Sequence, residues 1–274
     1  MLKGYIPSPI PFMANYGRTN KQRTACRNTP RYPNYVILDG TTLRIPTMQI
    51  LTDASPSSVT TFNLVDADNA DTIPLSTSDW ETHNTPDGLG CLVFPRTNLT
   101  VADAEPGRFY HFVVENDTDI FYSQEIYTVP AWPGSEDCAE RFTAVKLSWV
   151  SPCPIDRGGY HDTTEFEIYV PAEPIHPAHE LSEEGENDSD GAFDPSFQRM
   201  EKVLALDFVA PDYIFDALAH LPLYATKTLE FSDGETIVLQ STDAKVSWID
   251  SCSGKITLEF NVLPLIKKGC GGDC

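Results

Sequence analysis

The sequence has little positive charge and no long apolar run. Lysine and arginine total 19 in 274 residues, against 40 aspartate and glutamate residues, so the formal net charge is −21. So acidic a chain repels phosphate backbones and anionic lipid surfaces. It also lacks the run of about eighteen apolar residues that a membrane-spanning helix needs. We therefore expect no stable nucleic-acid binding and no membrane insertion.

The signatures of several enzyme classes are missing as well. There is no glycine-rich phosphate loop, no G-x-S-x-G elbow and no H-E-x-x-H motif. The sequence motifs typical of nucleotide hydrolases, serine hydrolases and zinc proteases are therefore absent. The 40 acidic residues create carboxylate pairs by chance, so they give no signal for a glycosidase. We expect a protein without catalytic residues or cofactor.

Cysteine is sparse and unevenly spaced, at positions 26, 91, 138, 153, 252, 270 and 274. An odd number at irregular spacing is not typical of a disulfide-stapled scaffold. The first residues, MLKGYIPSPIPFMANYG, hold one cation and no apolar core segment, so we expect no secretory signal. Both observations favour synthesis in a reducing cytoplasm, with most thiols free.

Two groups of residues contain metal-ligand types, but neither has the spacing of a known site. His161, His176, His179 and Cys153 lack the paired pattern of structural zinc. The acidic clusters at Asp66–Asp71 and Asp188–Gly191 lack the spacing and final glutamate of an EF-hand loop. We interpret the acidic clusters as solvated turns and predict no metal.

Positive charge is concentrated near the start of the chain. The first 38 residues contain six basic residues and no acid, whereas the other 236 contain 13 basic and 40 acidic residues. Prolines 7, 9, 11, 30 and 33 disfavour a helix there. We predict an extended arm over residues 1–33 that docks on an acidic partner. The candidate docking residues are Arg18, Lys21, Arg23, Arg27 and Arg31.

Residues 34–130 have the pattern of an all-β domain. Asp39-Gly40 between two β-rich runs predicts a tight hairpin. Alternation of Tyr110, Phe112 and Val114 predicts a strand with one buried face. About seven short strands over this length are typical of an immunoglobulin-like or fibronectin-like β-sandwich. The proline-, glycine- and acid-containing residues 131–140 are predicted to be a linker.

Residues 141–274 predict a β-rich α+β domain. Pro211 and Asp212 open a short helix with apolar residues at Ile214, Phe215 and Leu218, and two hairpins after it predict a C-terminal β-meander. Residues 180–194 are strongly acidic and predict a long polar loop, which we take as a second contact surface. The candidate residues in this loop are Glu183, Glu184, Glu186, Asp188, Asp190 and Asp194.

Three features of the C-terminal half occur in a fixed order. They are the Glu183–Glu186 stretch (EEGE), a D-G-x-F-x-P step from Asp190 to Pro195, and an A-P-x-x-x-x-D-A-L helix from Ala210 to Leu218. With CSGKITLEFNV and the preceding GRFYHFVVENDTDIFYSQEIYTV, they resemble a family of virion proteins from tailed phages of Bacteroidota, including crAss-like phages. The basic stretch, His176–His179 and the cysteine-bearing tail have no counterpart in this pattern.

The resemblance implies a tail or neck component that brings no catalytic residues and assembles in several copies, as a ring. It would be made in the host cytoplasm and end in the virion, in contact with other copies and other tail or neck proteins. The acidic body and basic arm agree with assembly by docking. The alternative is a receptor- or glycan-binding adaptor of a fibre or spike, which would expose a shallow aromatic patch.

Overall fold

The computed structural model describes residues 9–14, 34–52, 57–84, 90–132, 144–150, 165–171, 173–174, 178–187, 189–191, 193–223, 226–231, 234–250 and 253–268. Strands dominate these residues, with one α-helix and one short 3-10 helix. The predicted mainly β fold class, with a single short helix, is therefore confirmed. Among the described residues, no helix is long and apolar enough to cross a membrane.

Twelve strands form the N-terminal half. They are β1 (Phe12–Ala14), β2 (Tyr35–Asp39), β3 (Thr42–Ile45), β4 (Met48–Thr52), β5 (Val59–Asp66), β6 (Thr72–Pro74), β7 (Glu81–Asn84), β8 (Gly90–Phe94), β9 (Thr97–Thr100), β10 (Phe109–Asn116), β11 (Ile120–Ser123) and β12 (Ile126–Val129). Strands β4, β8 and β7 make a three-stranded sheet, and the other nine make one large sheet.

The two sheets of this half pack face to face around one core. Phe62 and Phe112 of the nine-stranded sheet lie 5.7 Å apart between ring centroids, and Phe62 lies 5.1 Å from Phe94 of the three-stranded sheet. These side chains belong to one buried apolar cluster. The arrangement is a β-sandwich, as predicted; the immunoglobulin-like topology stays a prediction.

The hairpin predicted at Asp39-Gly40 joins β2 to β3. Leu38 pairs with Leu43 and Asp39 pairs with Thr42. Gly40 has φ of +58°, a left-handed conformation that glycine adopts without a steric penalty from Cβ. The sequence signal and the turn therefore agree.

Part of the predicted N-terminal arm belongs to the sandwich. Residues 12–14 form β1, which pairs antiparallel with β11, and Ile10, Phe12 and Ala14 are buried in the sandwich core. The arm prediction is wrong for residues 9–14, because these three apolar residues alternate and fill one face of an edge strand. Residues 1–8 and 15–33, including all five predicted docking residues, lie outside the described residues.

Nine strands and the helix form the C-terminal half. They are β13 (Ala144–Val150), β14 (Glu165–Pro171), β15 (Glu173–Pro174), β16 (Ala178–Asn187), β17 (Phe193–Pro211), α1 (Asp212–Ala219), β18 (Thr226–Glu230), β19 (Thr236–Val238), β20 (Ser241–Trp248) and β21 (Ser253–Lys268). Helix α1 follows Pro211 as predicted, and its residues Ile214, Ala217 and Leu218 are buried.

The last four strands form two hairpins that belong to different sheets. Strands β18 and β19 extend a four-stranded sheet in the order β14-β13-β18-β19. Strands β20 and β21 instead join a five-stranded sheet, in which β21 pairs with β17 and β16 pairs with the far edge of β17. The strands of the predicted meander are therefore divided between two sheets. Strand β21 joins the five-stranded sheet because it pairs with β17 along fifteen residues.

The three-stranded sheet joins the two halves. All residues of β4 and β8 are buried. Ile50, Leu92 and Phe94 contribute to the sandwich core, whereas Leu51, Cys91 and Val93 contribute to the core of the C-terminal half. Because successive side chains of a strand point to opposite faces, one sheet serves two cores. The predicted domains are therefore in direct apolar contact, while most of the predicted linker lies outside the described residues.

A buried carboxylate adds a polar link across the same junction. Glu167 of β14 has a side chain only 5% exposed. It accepts hydrogen bonds from Arg44 of β3 at 3.0 Å and from Arg96 at 3.1 Å. Two guanidinium groups from the sandwich thus compensate one buried charge from the C-terminal half.

Replacing Glu167→Gln should lower the free energy of unfolding by about 2 kcal/mol, because both guanidinium groups lose their charged acceptor. The matched control is Glu165→Gln, since Glu165 contacts Arg96 at 3.2 Å but is 41% exposed. Glu165→Gln should lower the free energy of unfolding by less than about 1 kcal/mol. Urea unfolding of the full chain measures both. Equal losses would show that the buried position of Glu167 does not matter.

Candidate docking surface

The acidic segment predicted as a loop is a β-hairpin. Residues 178–187 form β16, which pairs antiparallel with β17 from Ala178↔Val203 to Asn187↔Phe193. The connecting turn contains Gly191 with φ of +82°. The loop prediction is wrong for most of the segment. A strand was not predicted there because apolar and polar residues do not alternate in this part of the sequence. Backbone pairing with β17 forms the strand without such a pattern.

Strand β16 is uncovered on both faces near its end. Residues 183–187 are all exposed, and Leu181 is 57% exposed. A strand packed against a core on one face alternates buried and exposed residues. Five exposed residues in succession show that no other described part of the chain covers either face of this part of β16.

The hairpin is continued by a third strand. Beyond the core residue Leu204, β17 pairs with β21 from Val203↔Asn261 to Phe197↔Lys268. With 19 residues, β17 spans about 60 Å at roughly 3.3 Å per residue. Its C-terminal part, from Leu204 to Ala210, lies in the core. We call the remaining three-stranded portion, residues 178–203 and 261–268, the β-arm.

The β-arm carries an uneven distribution of charge. Residues 178–194 contain seven acidic residues and no lysine or arginine. Of the predicted contact residues, Glu183, Glu184 and Glu186 lie exposed on β16 and Asp190 lies exposed in the turn. Asp194 lies in β17, and Asp188 is outside the described residues. The structure thus brings the acidic residues onto one strand and its turn.

Acidic residues nearer the core have basic partners on the same sheet. Lys255 contacts Asp207 at 2.6 Å, and Lys245 contacts Glu259 at 2.6 Å. Hydrogen bonds from Lys255 and then from the Thr257 hydroxyl lower the pKa of Asp207. Residues 178–194 contain no lysine or arginine, but the paired strand β17 carries Arg199 opposite Ser182 and Lys202 opposite His179.

The acidic cluster Asp66–Asp71 is a turn closed by the carboxylate of Asp66. Asp66 Oδ1 accepts hydrogen bonds from the backbone N–H groups of Asp68 and Asn69, at 2.8 and 3.1 Å, and Oδ2 accepts one from Arg108 at 3.2 Å. Burial raises the pKa of Asp66, but the two N–H groups and Arg108 together lower it below its ordinary value. Oδ1 therefore holds the turn together, and Oδ2 joins it to Arg108 beside β10.

The other metal and thiol candidates are only partly within the described residues. His161, His176 and Cys153 lie outside them, and His179 lies on β16. No cluster of three or more ligand-type side chains occurs in the part of the chain that the structure describes. Cys91 is buried and unbridged, and burial raises the pKa of its thiol to about 12. The other six cysteines are outside the described residues.

A cleft at the junction of the halves is too small for an organic ligand. It is lined by Asn34, Tyr35, Arg44, Glu167 and Tyr169 among others, and encloses about 10 Å³. This volume is about that of one water molecule. The charged groups at its wall are the ones that join the two halves, so their evident role is structural.

Sequence reasoning missed two features of the described structure. Strand β1 was signalled by the alternation of Ile10, Phe12 and Ala14, which the surrounding prolines obscured. The contact of Arg44 and Arg96 with Glu167 had no local signal, because these residues lie 123 and 71 positions apart in the sequence. Comparison with known proteins adds nothing further, since no protein-family model and no curated protein matches the chain.

Replacing Asp66→Asn should lower the free energy of unfolding by about 1–2 kcal/mol at pH 7 through loss of the ion pair and weaker turn hydrogen bonds. The lowered pKa of Asp66 means that its contribution is complete above the ordinary value of 3.8 and is lost as the pH falls below it. The difference between wild type and variant should therefore shrink from pH 7 to pH 3.

Urea unfolding at both pH values measures this difference. Asp117→Asn is the matched control, because Asp117 is an exposed acidic residue in another turn of the same sheet, and it should change stability little at either pH. A difference for Asp66→Asn that is as large at pH 3 as at pH 7 would contradict the assigned role of its ionised carboxylate.

Proposed function

We propose that the protein is a structural component of a tailed-phage virion, in the tail or neck. It acts by multi-copy assembly and by docking to neighbouring virion proteins rather than by catalysis. The observation that carries the proposal is the β-arm, whose strand β16 has five consecutive exposed residues, 183–187. A long strand uncovered on both faces forms little apolar core with its own chain, and it offers a surface to another.

Physical stability also favours a partner for the β-arm. Small sheets need an apolar face against a core to be stable alone. Among the described residues, β17 and β21 continue from the arm into such a core, at Leu204, Leu206, Leu258 and Phe260. Contact with a neighbour would cover its faces and satisfy backbone groups at its edge.

The basic segment 15–33 is the second element of the proposal. It leaves β1 after Ala14 and returns before β2 at Asn34, whose side-chain amide donates a hydrogen bond to the Pro9 carbonyl. The segment is therefore tethered at both ends to one sheet. It holds five basic residues and no acid, so it complements acidic surfaces.

The motif that resembles virion proteins lies partly in the β-arm and partly at the core end of β17. Gly191 lies in the turn, Phe193 begins β17, and Pro195 pairs with Gly185 beside a bulge. The A-P-x-x-x-x-D-A-L part is the C-terminal end of β17 and helix α1, which lie in the body of the C-terminal half. These matches support a role in assembly for the same region.

The alternative is a receptor- or glycan-binding adaptor, and one apolar site favours it. Trp248 and Ile249, at the end of β20, are 53% and 62% exposed, and the Trp248 ring lies 6.1 Å from Phe215 of α1. Stacking of a sugar on an exposed aromatic ring is a usual mode of recognition. Loss of glycan-array binding in Trp248→Ala, with assembly unchanged, would favour this alternative.

Neutralising the basic segment should abolish assembly and leave the fold intact. The variant replaces Arg18, Lys21, Arg23, Arg27 and Arg31 with glutamine in the full chain, because removing residues 1–33 would also delete β1. Sedimentation velocity should show a fall from a multi-copy species to a monomer, while the thermal midpoint stays within about 2 °C because surface changes cost little.

The matched control changes five uncharged residues of the same segment to serine, namely Thr19, Asn20, Gln22, Thr24 and Asn28. It should assemble as the wild type does. Assembly of the glutamine variant would contradict the docking role of the segment. The virion role is tested separately by mass spectrometry of purified phage particles whose genome encodes the chain, and absence of the chain from them would contradict it.

A further inference from the structure

We propose that two copies of the chain pair through their β20 strands, antiparallel, across a two-fold axis at Ala244. The inference goes beyond the proposed function, because it names a further contact that depends neither on the basic segment nor on a virion role. Pairing would join the five-stranded sheets of two copies into one sheet of ten strands. Both copies use the same surface, as in most homodimers.

The outer edge of β20 is the end of its sheet. Strand β20 pairs with β21 along all eight of its residues, and no strand among the described residues pairs with its other side. Such an edge presents backbone N–H and C=O groups to another extended chain. Proline would interrupt the pairing, and β20, STDAKVSW, contains none. The edge can therefore accept a strand along its whole length.

Apolar side chains near this edge are only partly covered by the described residues. Residues of α1, β19 and β20 pack half-buried against the core of the C-terminal half, among them Tyr213, Phe215, Ile237, Ala244 and Val246. Three further apolar residues on or just after β19 and β20 are exposed, namely Val238, Trp248 and Ile249. Exposed apolar surface of this kind marks sites of contact with other proteins.

The charge pattern of β20 identifies the partner as a second copy of the same strand. Asp243 and Lys245 lie two positions apart, so they share the exposed face of the sheet. When two antiparallel β20 strands are centred on Ala244, Asp243 of each copy lies opposite Lys245 of the other. Opposite charges in directly facing positions of paired strands attract each other. One contact thus contains two Asp–Lys pairs.

The neighbouring registers are unfavourable. Centring the strands on Asp243 places that carboxylate opposite its own copy, and centring them on Lys245 places two ammonium groups opposite each other. Like charges in directly facing positions repel each other. The register centred on Ala244 avoids both arrangements, and the small side chain of Ala244 lies at the axis. The sequence of β20 therefore specifies one register.

The contacts of Lys245 within its own chain are compatible with this pairing. Its ammonium group lies 2.6 Å from Glu259 and 3.5 Å from Asp243, and its side chain is still 58% exposed. Exposed ion pairs add little affinity, so the charge pattern mainly determines the partner and the register. One strand edge is a small interface, and small interfaces are weak. We therefore test the pairing with a covalent trap.

A disulfide at the two-fold axis tests the pairing in the full chain. In the proposed register, position 244 lies opposite itself with Cα atoms about 4.5–5.5 Å apart, a distance that a disulfide spans. Ala244→Cys should therefore link two copies through position 244 when oxidised glutathione is added. Mass spectrometry of the linked peptide distinguishes this bond from bonds of the native cysteines.

The register is tested by a matched pair of variants, Ser241→Cys and Ser247→Cys. The proposed register places these positions opposite each other, whereas each lies about 20 Å from its own copy. Each variant alone should form little disulfide at the new position. An equimolar mixture should form at least about tenfold more, because the two thiols then face each other.

Charge reversals in the Ala244→Cys chain test the selectivity. Asp243→Lys or Lys245→Asp alone brings like charges together and should lower the linked fraction at least about fivefold. Mixing the two variants should restore linking, since every charge then faces its opposite. The chain with both substitutions should link as well as Ala244→Cys alone does. The matched control, Asp103→Lys, reverses an exposed acidic residue of the sandwich and should not change the linked fraction.

The outcomes separate the pairing from the proposed function. Failure of Ala244→Cys to link while circular dichroism shows it folded would overturn the pairing and leave the virion role standing. Linking that neither charge reversal lowers, or that mixing does not restore, would overturn the Asp–Lys register. Efficient linking of a chain that is absent from phage particles would support the pairing and contradict the proposed function.

Discussion

Burial of one three-stranded sheet on both faces is the constraint on which the rest of the structure depends. Leu92 and Val93 are neighbours in β8, yet they belong to two different apolar cores. Strand β8, GCLVF, is apolar throughout, whereas β4, MQILT, also buries the polar residues Gln49 and Thr52. The sandwich and the C-terminal half therefore share a layer, and Glu167 with its two arginines fixes their contact further.

The same C-terminal core supports the β-arm at one end only. Within the core, β17 is held by apolar burial and by backbone pairing. On the N-terminal side of Leu204, β17 pairs with β16 on one side and with β21 on the other. Backbone hydrogen bonds join the three strands of the arm, and the buried apolar residues Leu204, Leu206, Leu258 and Phe260 lie at its base.

The sequence predicted correctly those turns and helix ends whose conformation depends on neighbouring residues alone. Asp39-Gly40 predicted a turn and Pro211-Asp212 predicted a helix start, because each signal lies in the residues that adopt the structure. Strand β16 could not be predicted from its own residues, since glutamates occupy successive positions and its pairing depends on β17. The acidic residues were identified from composition, whereas the placement of Glu183, Glu184 and Glu186 on β16 required the register. The position of segment 15–33 stays a prediction.

A single extra residue separates body from arm. The ladder of β17 and β21 steps from Val203↔Asn261 to Lys202↔Leu263, so Val262 has no opposite residue. Such a bulge bends the strand and increases its twist. The angle at which the β-arm leaves the body therefore depends on Val262. If copies join through their arms, that local bend determines the curvature of the assembly, and with it the number of copies that close a ring.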